Sequence, residues 1–218
     1  MLAMKILQHD KVLFVGDSIT DCMRRRPVGT GGGLGLGYVA MFHAWVKLKR
    51  PDLALDVINM GVSGNTIRLM ADRWQTDVLS FQPDVLFILI GVNDVWIRYG
   101  CEGDLASTSL AEEYLKLYDQ LLCRTVPAVR QICLMTPYII PNQTNAAMYQ
   151  ELLPYMQGVK ALGQQFHLPV IDLQNVMEKL LSDGIEPELI SLDGVHPNIL
   201  GRMAITEAVL RETELIGR

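Results

Sequence analysis

The sequence predicts an α/β fold, a three-layer α/β/α sandwich in which helices cover both faces of a parallel sheet. Apolar runs of strand length recur along the chain, and most are continuous, as expected where both faces of a sheet are buried. Segments with helical periodicity separate these runs, which predicts right-handed crossovers between parallel strands. The chain has 218 residues and half of them are hydrophobic, which suits one domain with a sizeable core.

The predicted strands are short apolar runs, and the predicted helices carry apolar residues at i, i+3 and i+4. The strands comprise residues 11–16, 54–60, 85–90, 131–135 and 169–173. The helices comprise residues 37–49, 66–80, 109–125, 147–166, 174–182 and 200–214. No internal repeat, low-complexity segment or break in composition interrupts the chain, so residues 1–218 are expected to form a single domain.

Charge and cysteine usage exclude several classes of protein. The formal net charge is −5 and there is no long basic run, which argues against a nucleic-acid partner. No apolar run approaches the ~20 residues needed to span a bilayer, and the first residues do not resemble a signal peptide. The four cysteines are scattered without metal-binding spacing. We therefore expect a cytoplasmic protein without a membrane partner, a metal or another cofactor.

A serine stands at the end of the first predicted strand, in the tripeptide Gly16-Asp17-Ser18. Glycine permits a sharp turn there, which leaves the serine at the carboxyl end of the strand, the edge where open α/β sheets bind ligands. The tripeptide alone is a weak signal, because Ser and Asp are also common in turns and at helix starts.

Three further signatures follow in the places that a serine hydrolase requires. They are residues 59–65 (NMGVSGN), residues 91–94 (GVND) and residues 193–196 (DGVH). The first two follow the second and third strands, and the last lies in the loop before the final helix. Signatures at the carboxyl ends of parallel strands converge on one edge of the sheet, so we expect all four to form one site.

The chemistry of a serine nucleophile assigns a role to three of these residues. A serine hydroxyl needs a base, and histidine is suited because its pKa lies near neutral pH. We predict Ser18 as nucleophile, His196 as base, and Asp193 as the group that orients the imidazole and stabilises its charged form. Pro197 is suited to the first turn of the final helix and would fix the backbone that holds the base.

A tetrahedral intermediate also needs donors for its oxyanion. The backbone N–H groups of Ser18 and Gly64 and the side-chain amide of Asn93 can supply them, and glycine lets the backbone approach a substrate closely. Each residue also has an ordinary structural interpretation when taken alone: a turn at Asn93, a helix cap at Asp193 and a structural histidine at His196.

The glycine-rich segment of residues 29–37 lacks the Gly-Lys-Ser/Thr ending of a phosphate-binding loop. Two interpretations stay open for it, a mobile loop that lines the entrance to the site and a plain flexible linker. The basic cluster Arg24-Arg25-Arg26 is interpreted as a solvated loop, with the binding of an anionic substrate as the minor alternative.

The four blocks resemble those of the SGNH hydrolase superfamily, the GDSL esterases and lipases. Gly16-Asp17-Ser18 resembles its first block, with Ile19 where the lipase-like pattern has leucine. The resemblance spans nearly the whole chain and implies a flavodoxin-like sandwich with five parallel strands. It also implies a metal-free triad of Ser18, His196 and Asp193, and an oxyanion hole formed by Ser18, Gly64 and Asn93.

A closer resemblance, to the intracellular acetylxylan esterase branch, rests on residues 16–22 (GDSITDC), the glycine-rich loop ending in residues 37–40 (GYVA), and residues 63–66 (SGNT), 73–74 (RW) and 91–96 (GVNDVW). This resemblance implies an esterase that removes acetyl groups from xylo-oligosaccharides through an acyl-enzyme, and a homo-oligomer. We expect Asp17 and Trp96 to contact the substrate, with Tyr99 and Trp74 as further aromatic faces for sugar rings.

Two alternatives stay open. The first is a lysophospholipase or acyl thioesterase with the same triad, in which Leu34, Leu36 and Ile97 line a longer acyl pocket. The second is a catalytically silent carbohydrate-binding or scaffold protein that keeps the fold. The intact set of catalytic residue types argues against the silent protein.

Overall fold

A five-stranded parallel sheet forms the centre of the computed structural model, which describes residues 4–27, 32–141 and 145–217. The strands are β1 (Lys11–Gly16), β2 (Asp56–Gly61), β3 (Val85–Leu89), β4 (Gln131–Met135) and β5 (Val170–Ile171). Their order across the sheet is β2-β1-β3-β4-β5, and every pairing is parallel. The predicted α/β class, with a flavodoxin-like sandwich and five parallel strands, is confirmed.

Two strands differ from their predicted bounds for local reasons. β2 begins two residues late, because Ala54 ends a 3₁₀ turn (Pro51–Leu53) with a left-handed φ of 47°. β5 has only two residues, since the Asp172 side chain accepts a hydrogen bond from the Asn175 N–H and so caps the helix that starts at Leu173.

Helices cover both faces of the sheet. Within the described ranges they are α1 (Ser18–Asp21), α2 (Tyr38–Lys49), α3 (Ile67–Asp72), α4 (Trp74–Asp77), α5 (Val92–Trp96), α6 (Ala111–Thr125), α7 (Ala146–Phe166), α8 (Leu173–Ser182), α9 (Pro187–Ile190) and α10 (Ile199–Glu212). Helix α10 packs on α2 and α8, whereas α6 packs on α3 and α7. These two groups form the outer layers.

The central strands carry a continuous apolar core. The ring of Phe14 in β1 stacks on that of Phe87 in β3 at 4.7 Å between centroids, and edge-on contacts join it to Tyr38 and Phe42 of α2. All four side chains are fully buried. This packing fixes β1, and with it the loop that follows Gly16, against the neighbouring strand and helix.

Two predictions for the helices were wrong. Residues 66–80 do not form one helix, because the chain leaves helical geometry at Arg73, between α3 and α4. Both short helices still bury apolar side chains, among them Ile67 and Trp74, so the hydrophobic pattern does not reveal the break. Pro197 also lies outside the first turn of α10: it pairs with Ser191 in an isolated bridge, and the helix begins at Ile199.

No helix found in residues 4–27, 32–141 and 145–217 is both long enough and apolar enough to cross a membrane.

Candidate active site

Ser18 is placed by a tight turn at the end of β1. A Cβ on Gly16 would lie 2.2 Å from the Leu89 carbonyl oxygen, so only glycine lets the strand end pack this closely against β3. The Asp17 side chain then accepts a hydrogen bond from the Ile19 N–H at 3.0 Å and caps α1. Ser18 is the first residue of that helix, so its backbone N–H has no partner within the helix.

The structure brings Ser18, His196 and Asp193 into one hydrogen-bonded line. The Oγ of Ser18 lies 2.8 Å from Nε2 of His196, and Nδ1 of the same ring lies 2.7 Å from Oδ2 of Asp193. The carboxylate assigns the ring proton to Nδ1, so Nε2 is the acceptor that faces the serine hydroxyl. The serine and the base are 178 residues apart in the sequence.

A dense set of hydrogen bonds holds the carboxylate that faces His196. Oδ1 of Asp193 accepts the backbone N–H groups of Val195 and His196 at 2.9 and 2.7 Å, and the hydroxyl of Ser191 at 3.0 Å. Gly194, with φ of +82°, turns the chain so that these contacts close. Oδ2 is therefore left for the imidazole alone among the groups that the structure describes.

The segment after β4 holds the loop that carries Asp193 and His196 in place. Tyr138, fully buried, donates its hydroxyl to the Val195 carbonyl at 3.0 Å, and the Ile140 N–H donates to the Gly194 carbonyl at 2.8 Å. Both acceptors are backbone carbonyls of the two residues directly before the histidine. The position of His196 therefore depends on β4 as well as on its own loop.

Hydrogen bonding sets the pKa values of the Asp193–His196 pair. The hydrogen bond that the imidazole donates to Asp193 raises the pKa of His196 above 6.5, against a smaller opposing effect of burial. Burial alone would raise the pKa of Asp193, but hydrogen bonds from the imidazole and two backbone N–H groups outweigh it and hold the pKa well below 3.8. Asp193 is thus ionised and stabilises a positive charge on the ring.

Gly64 lies in the turn that follows β2. It has φ of +78° in a turn that the Asn65 N–H closes on the Val62 carbonyl at 3.1 Å. Apart from its two chain neighbours, no described residue has a heavy atom within 4 Å of the place where a Cβ would stand. Glycine is required here by the backbone conformation, and the turn is open on its outer side.

Asn93 is buried at the start of α5, directly after β3. One N–H of its side-chain amide donates to the Asn65 backbone carbonyl at 3.0 Å. An amide nitrogen carries two N–H groups, so this bond orients the amide and leaves a second donor. Asn93 and the Gly64 turn are therefore joined, as expected for two donors of one oxyanion hole.

The four residues expected to contact the substrate differ in how deeply they are buried. The predicted substrate contact at Asp17 was wrong: its side chain is fully buried beneath the site, where desolvation raises its pKa to about 7. Trp74 is also buried, and its indole donates to Thr125 Oγ1. Trp96 is half-buried, with its ring edge-on to His196 at 6.2 Å between centroids. Tyr99 is exposed.

Two residues of the site network escaped the sequence interpretation. Asp94 is fully buried and accepts backbone N–H groups from Ile67 at 3.0 Å and Ser109 at 3.1 Å. Burial raises its pKa to about 7, against these hydrogen bonds. Arg73 reaches beneath the site to the Gly16 carbonyl. The signal available for Asp94 was its place beside Asn93, and that for Arg73 was its place in the Arg73-Trp74 pair of the family resemblance, which assigned it no role in the site.

Part of the glycine-rich segment, residues 29–31, lies outside the described residues. The remainder packs on α1: the Leu36 N–H donates to the Cys22 carbonyl at 2.8 Å, and a Cβ on Gly35 would lie 2.6 Å from the Asp21 carbonyl. Of the side chains proposed to line a long acyl pocket, Ile97 is buried, Leu34 packs against the core, and Leu36 is exposed.

Among the described residues, no group of three or more His, Cys, Asp or Glu side chains has the geometry to hold a metal ion. The arrangement of Ser18, His196 and Asp193 can perform nucleophilic acyl transfer with the groups that the chain itself supplies.

Comparison with known proteins assigns the chain to a family. Residues 14–203 match the GDSL-like Lipase/Acylhydrolase family. The chain is 37% identical over 211 residues to an acetylxylan esterase of Geobacillus stearothermophilus, and the alignment covers 96% of each protein. It is 31% identical over 231 residues to an acetylxylan esterase of Xylanibacter ruminicola, which covers 91% of this chain and 42% of that protein.

Solved structures agree with this assignment. The crystal structure of the Geobacillus stearothermophilus acetylxylan esterase matches with a TM-score of 0.88 at 38% identity, over 96% of each chain. LAE5, an α/β hydrolase enzyme from the metagenome of Lake Arreo, Spain, matches with a TM-score of 0.89 at 32% identity, over 97% of this chain and 98% of the other. The chain is therefore a carboxylic ester hydrolase that belongs to the GDSL-like lipase/acylhydrolase family.

Proposed function

We propose that this protein is a serine esterase that removes acetyl groups from a carbohydrate of the acetylated xylo-oligosaccharide type. The observation that carries the proposal is the hydrogen-bonded line of Ser18, His196 and Asp193. It lies in a chain that is 37% identical to an acetylxylan esterase along nearly its whole length. The family and the fold alone would leave the acyl group and the alcohol open.

In the first half of the reaction, Ser18 Oγ attacks the acetyl carbonyl carbon while its proton passes to His196 Nε2. The carbonyl π electrons move to the oxygen, which becomes the oxyanion of a tetrahedral intermediate. When the intermediate collapses, the C–O bond to the sugar breaks, and the imidazolium gives its proton to the departing sugar oxygen. The products are an acetylated Ser18 and a free hydroxyl on the sugar.

In the second half, water replaces the sugar hydroxyl beside His196. The imidazole takes a proton from the water as its oxygen attacks the acetyl carbonyl of the acyl-enzyme. Collapse of this second intermediate breaks the bond to Ser18 Oγ, which recovers its proton from the imidazolium. Acetate leaves, and the site returns to its starting state.

We propose that the backbone N–H groups of Ser18 and Gly64 and the free amide N–H of Asn93 bind both oxyanions. The support is positional: Ser18 N–H faces out of α1, the Gly64 turn is open, and Asn65 orients Asn93. Donors already fixed in place need no reorganisation as charge develops, and each typically contributes ~10²–10³ in rate. We assign Trp96, half-buried beside His196, to the wall that meets the sugar.

The test of the acetylesterase proposal is the dependence of the rate on acyl-chain length. We expect the value of kcat/KM for p-nitrophenyl esters to be highest for acetate and to collapse beyond butyrate. Acetylated xylo-oligosaccharides should release acetate in parallel assays, with the Ser18→Ala variant as the blank. Turnover that is highest with octanoate or palmitate would overturn the proposal in favour of a lysophospholipase or acyl thioesterase with the same triad.

The pH dependence should follow the ionisation of His196. The base acts only when its imidazole is neutral, so kcat/KM should fall as the pH drops through the pKa of His196. Because Asp193 raises that pKa, with a smaller contribution from buried Asp17, the midpoint should lie above 6.5. A series of p-nitrophenyl acetate assays between about pH 5 and pH 9 measures it. A flat profile would contradict the assignment of His196 as base, and a midpoint below 6.5 would contradict the raised pKa of its imidazole.

We also propose that residues 1–218 act as one domain, without a cofactor, as a homo-oligomer in the cytoplasm. The support for the oligomer and for the location is the resemblance of the sequence blocks to the intracellular acetylxylan esterase branch. Size-exclusion chromatography with light scattering tests the oligomer, and a monomer at working concentrations would remove it.

A further inference from the structure

We propose that Arg73 is a positioning residue for the oxyanion hole: its guanidinium fixes Asn65, whose backbone carbonyl orients the amide of Asn93. The inference rests on the proposed esterase function, since it concerns how the donors for that reaction are held. Arg73 lies at the break between α3 and α4, and its side chain is 16% exposed, so most of it is buried beneath the site.

The guanidinium contacts four separate groups. Nε donates to Asn65 Oδ1 at 2.6 Å, and Nη2 donates to the Gly16 carbonyl at 3.0 Å. Nη1 donates to the Met60 carbonyl at 2.8 Å and to Asp77 Oδ2 at 2.9 Å. Two of these four acceptors adjoin residues of the site: Gly16 is two residues before the nucleophile, and Asn65 directly follows Gly64.

The guanidinium therefore joins the carboxyl ends of β1 and β2 to the turn that carries Gly64. Gly16 pairs with Gly61 across the two strands, and the ladder ends there. A planar fork with fixed donor directions suits acceptors that lie in several directions, whereas an ammonium group is a compact charge on a flexible stem. Lysine at this position would keep the charge but lose the simultaneous contacts.

Asn65 carries the effect to Asn93. Arg73 holds the Asn65 side chain. The backbone N–H of Asn65 donates to the Val62 carbonyl at 3.1 Å and closes the turn. Its backbone carbonyl accepts one N–H of the Asn93 amide at 3.0 Å. Movement of Asn65 would thus shift two of the three proposed donors at once, and small displacements of groups that bind a transition state cost large factors in rate.

Asp77 separates this role from a purely structural one. The Arg73–Asp77 contact is an i,i+4 ion pair on the outer side of the guanidinium, and Asp77 contributes none of the hydrogen bonds to Gly16, Met60 or Asn65 that Arg73 makes. If Arg73 only stabilised the fold, removing the ion pair with Asp77 and replacing the guanidinium by an ammonium group would change stability and kcat in similar ways. If Arg73 positions the oxyanion hole, only replacement of its guanidinium lowers kcat.

The experiment compares Arg73→Lys with Asp77→Asn in the full-length chain, using p-nitrophenyl acetate. We expect Arg73→Lys to lower kcat by about 10- to 100-fold with KM changed by less than about threefold, because the loss falls on the transition state. Asp77→Asn should stay within about threefold of wild type in kcat. Thermal unfolding is recorded for each variant.

A double variant tests whether the effect passes through Asn93. Asn93→Ala alone should lose about 10²–10³ in kcat. Adding Arg73→Lys to it should cost a clearly smaller factor than the same change costs in the wild type, because the contact that orients Asn93 then has nothing to orient and only the Gly64 donor is still affected. Losses that multiply in the double variant, or an Arg73→Lys enzyme within about threefold of wild type, would overturn the proposal.

Two further measurements keep the test decisive. Should Arg73→Lys fail to fold, Asn65→Ala removes only the side-chain link and should lower kcat by a similar factor; unchanged kcat there overturns the proposal. The esterase function fails separately, when the wild-type protein itself does not hydrolyse the ester. An active wild type with unaffected variants therefore rejects the role of Arg73 alone.

Discussion

Replacing Ser18 by alanine is expected to lower kcat for p-nitrophenyl acetate by a factor of about 10⁴ to 10⁶, a loss comparable to that from removing the base His196. The hydroxyl is the atom that forms the acyl-enzyme, and no other nucleophile in the described site lies within hydrogen-bonding distance of His196 Nε2. The backbone donors and the substrate contacts remain in the variant. They leave a residual acceleration over water, so the loss is large but finite.

Ester hydrolysis and covalent labelling measure this loss independently. A fluorophosphonate should add one adduct to the wild type at Ser18, located by peptide mass, and none to Ser18→Ala. Ser182→Ala is the matched control: this serine is exposed at the end of α8 and hydrogen-bonds to the Lys179 carbonyl, so its removal should leave rate and labelling unchanged. Full activity in Ser18→Ala would reject the nucleophile. A wild type that resists labelling would favour the catalytically silent protein.

The edge of the sheet where the site lies could be predicted from the sequence because it follows from strand ends. Continuous apolar runs identify parallel strands, and parallel strands end at the same edge. This was sufficient to predict that Ser18, Gly64 and Asn93 lie together, although each is weak evidence alone. Asp193 and His196 belong to a loop rather than to a strand, so their arrival at Ser18 rested on chemical complementarity and on resemblance.

What the sequence could not provide was the set of buried polar contacts beneath the site. Asp17, Arg73 and Asp94 are charged residues, and hydrophobic patterns place charged residues at the surface. Asp17 was expected to contact the substrate, whereas its side chain caps α1 in the interior. Such contacts depend on which loops the fold brings together, for example Asp94 with Ile67 and Ser109. Patterns of period 2 or 3.6 carry no information about them.

Asp193→Asn should lower kcat by about 10⁴, because it changes the tautomer of the His196 imidazole. Oδ1 accepts two backbone N–H groups and the Ser191 hydroxyl, so the oxygen of the asparagine amide would stay in that place. Its NH₂ group would then face His196 Nδ1 and donate to it. The ring proton would move to Nε2, which could no longer accept the proton of Ser18.

The pH profile of Asp193→Asn distinguishes this mechanism from simple loss of structure. Removing the carboxylate removes the main cause of the raised pKa of His196, so the acid limb of the residual activity should move to lower pH than in the wild type. Asp183→Asn, an equal change on the exposed end of α8, should alter neither rate nor profile. A variant at Asp193 that keeps more than about a tenth of wild-type kcat would show that the base finds its tautomer without the carboxylate, and the triad would reduce to Ser18 and His196.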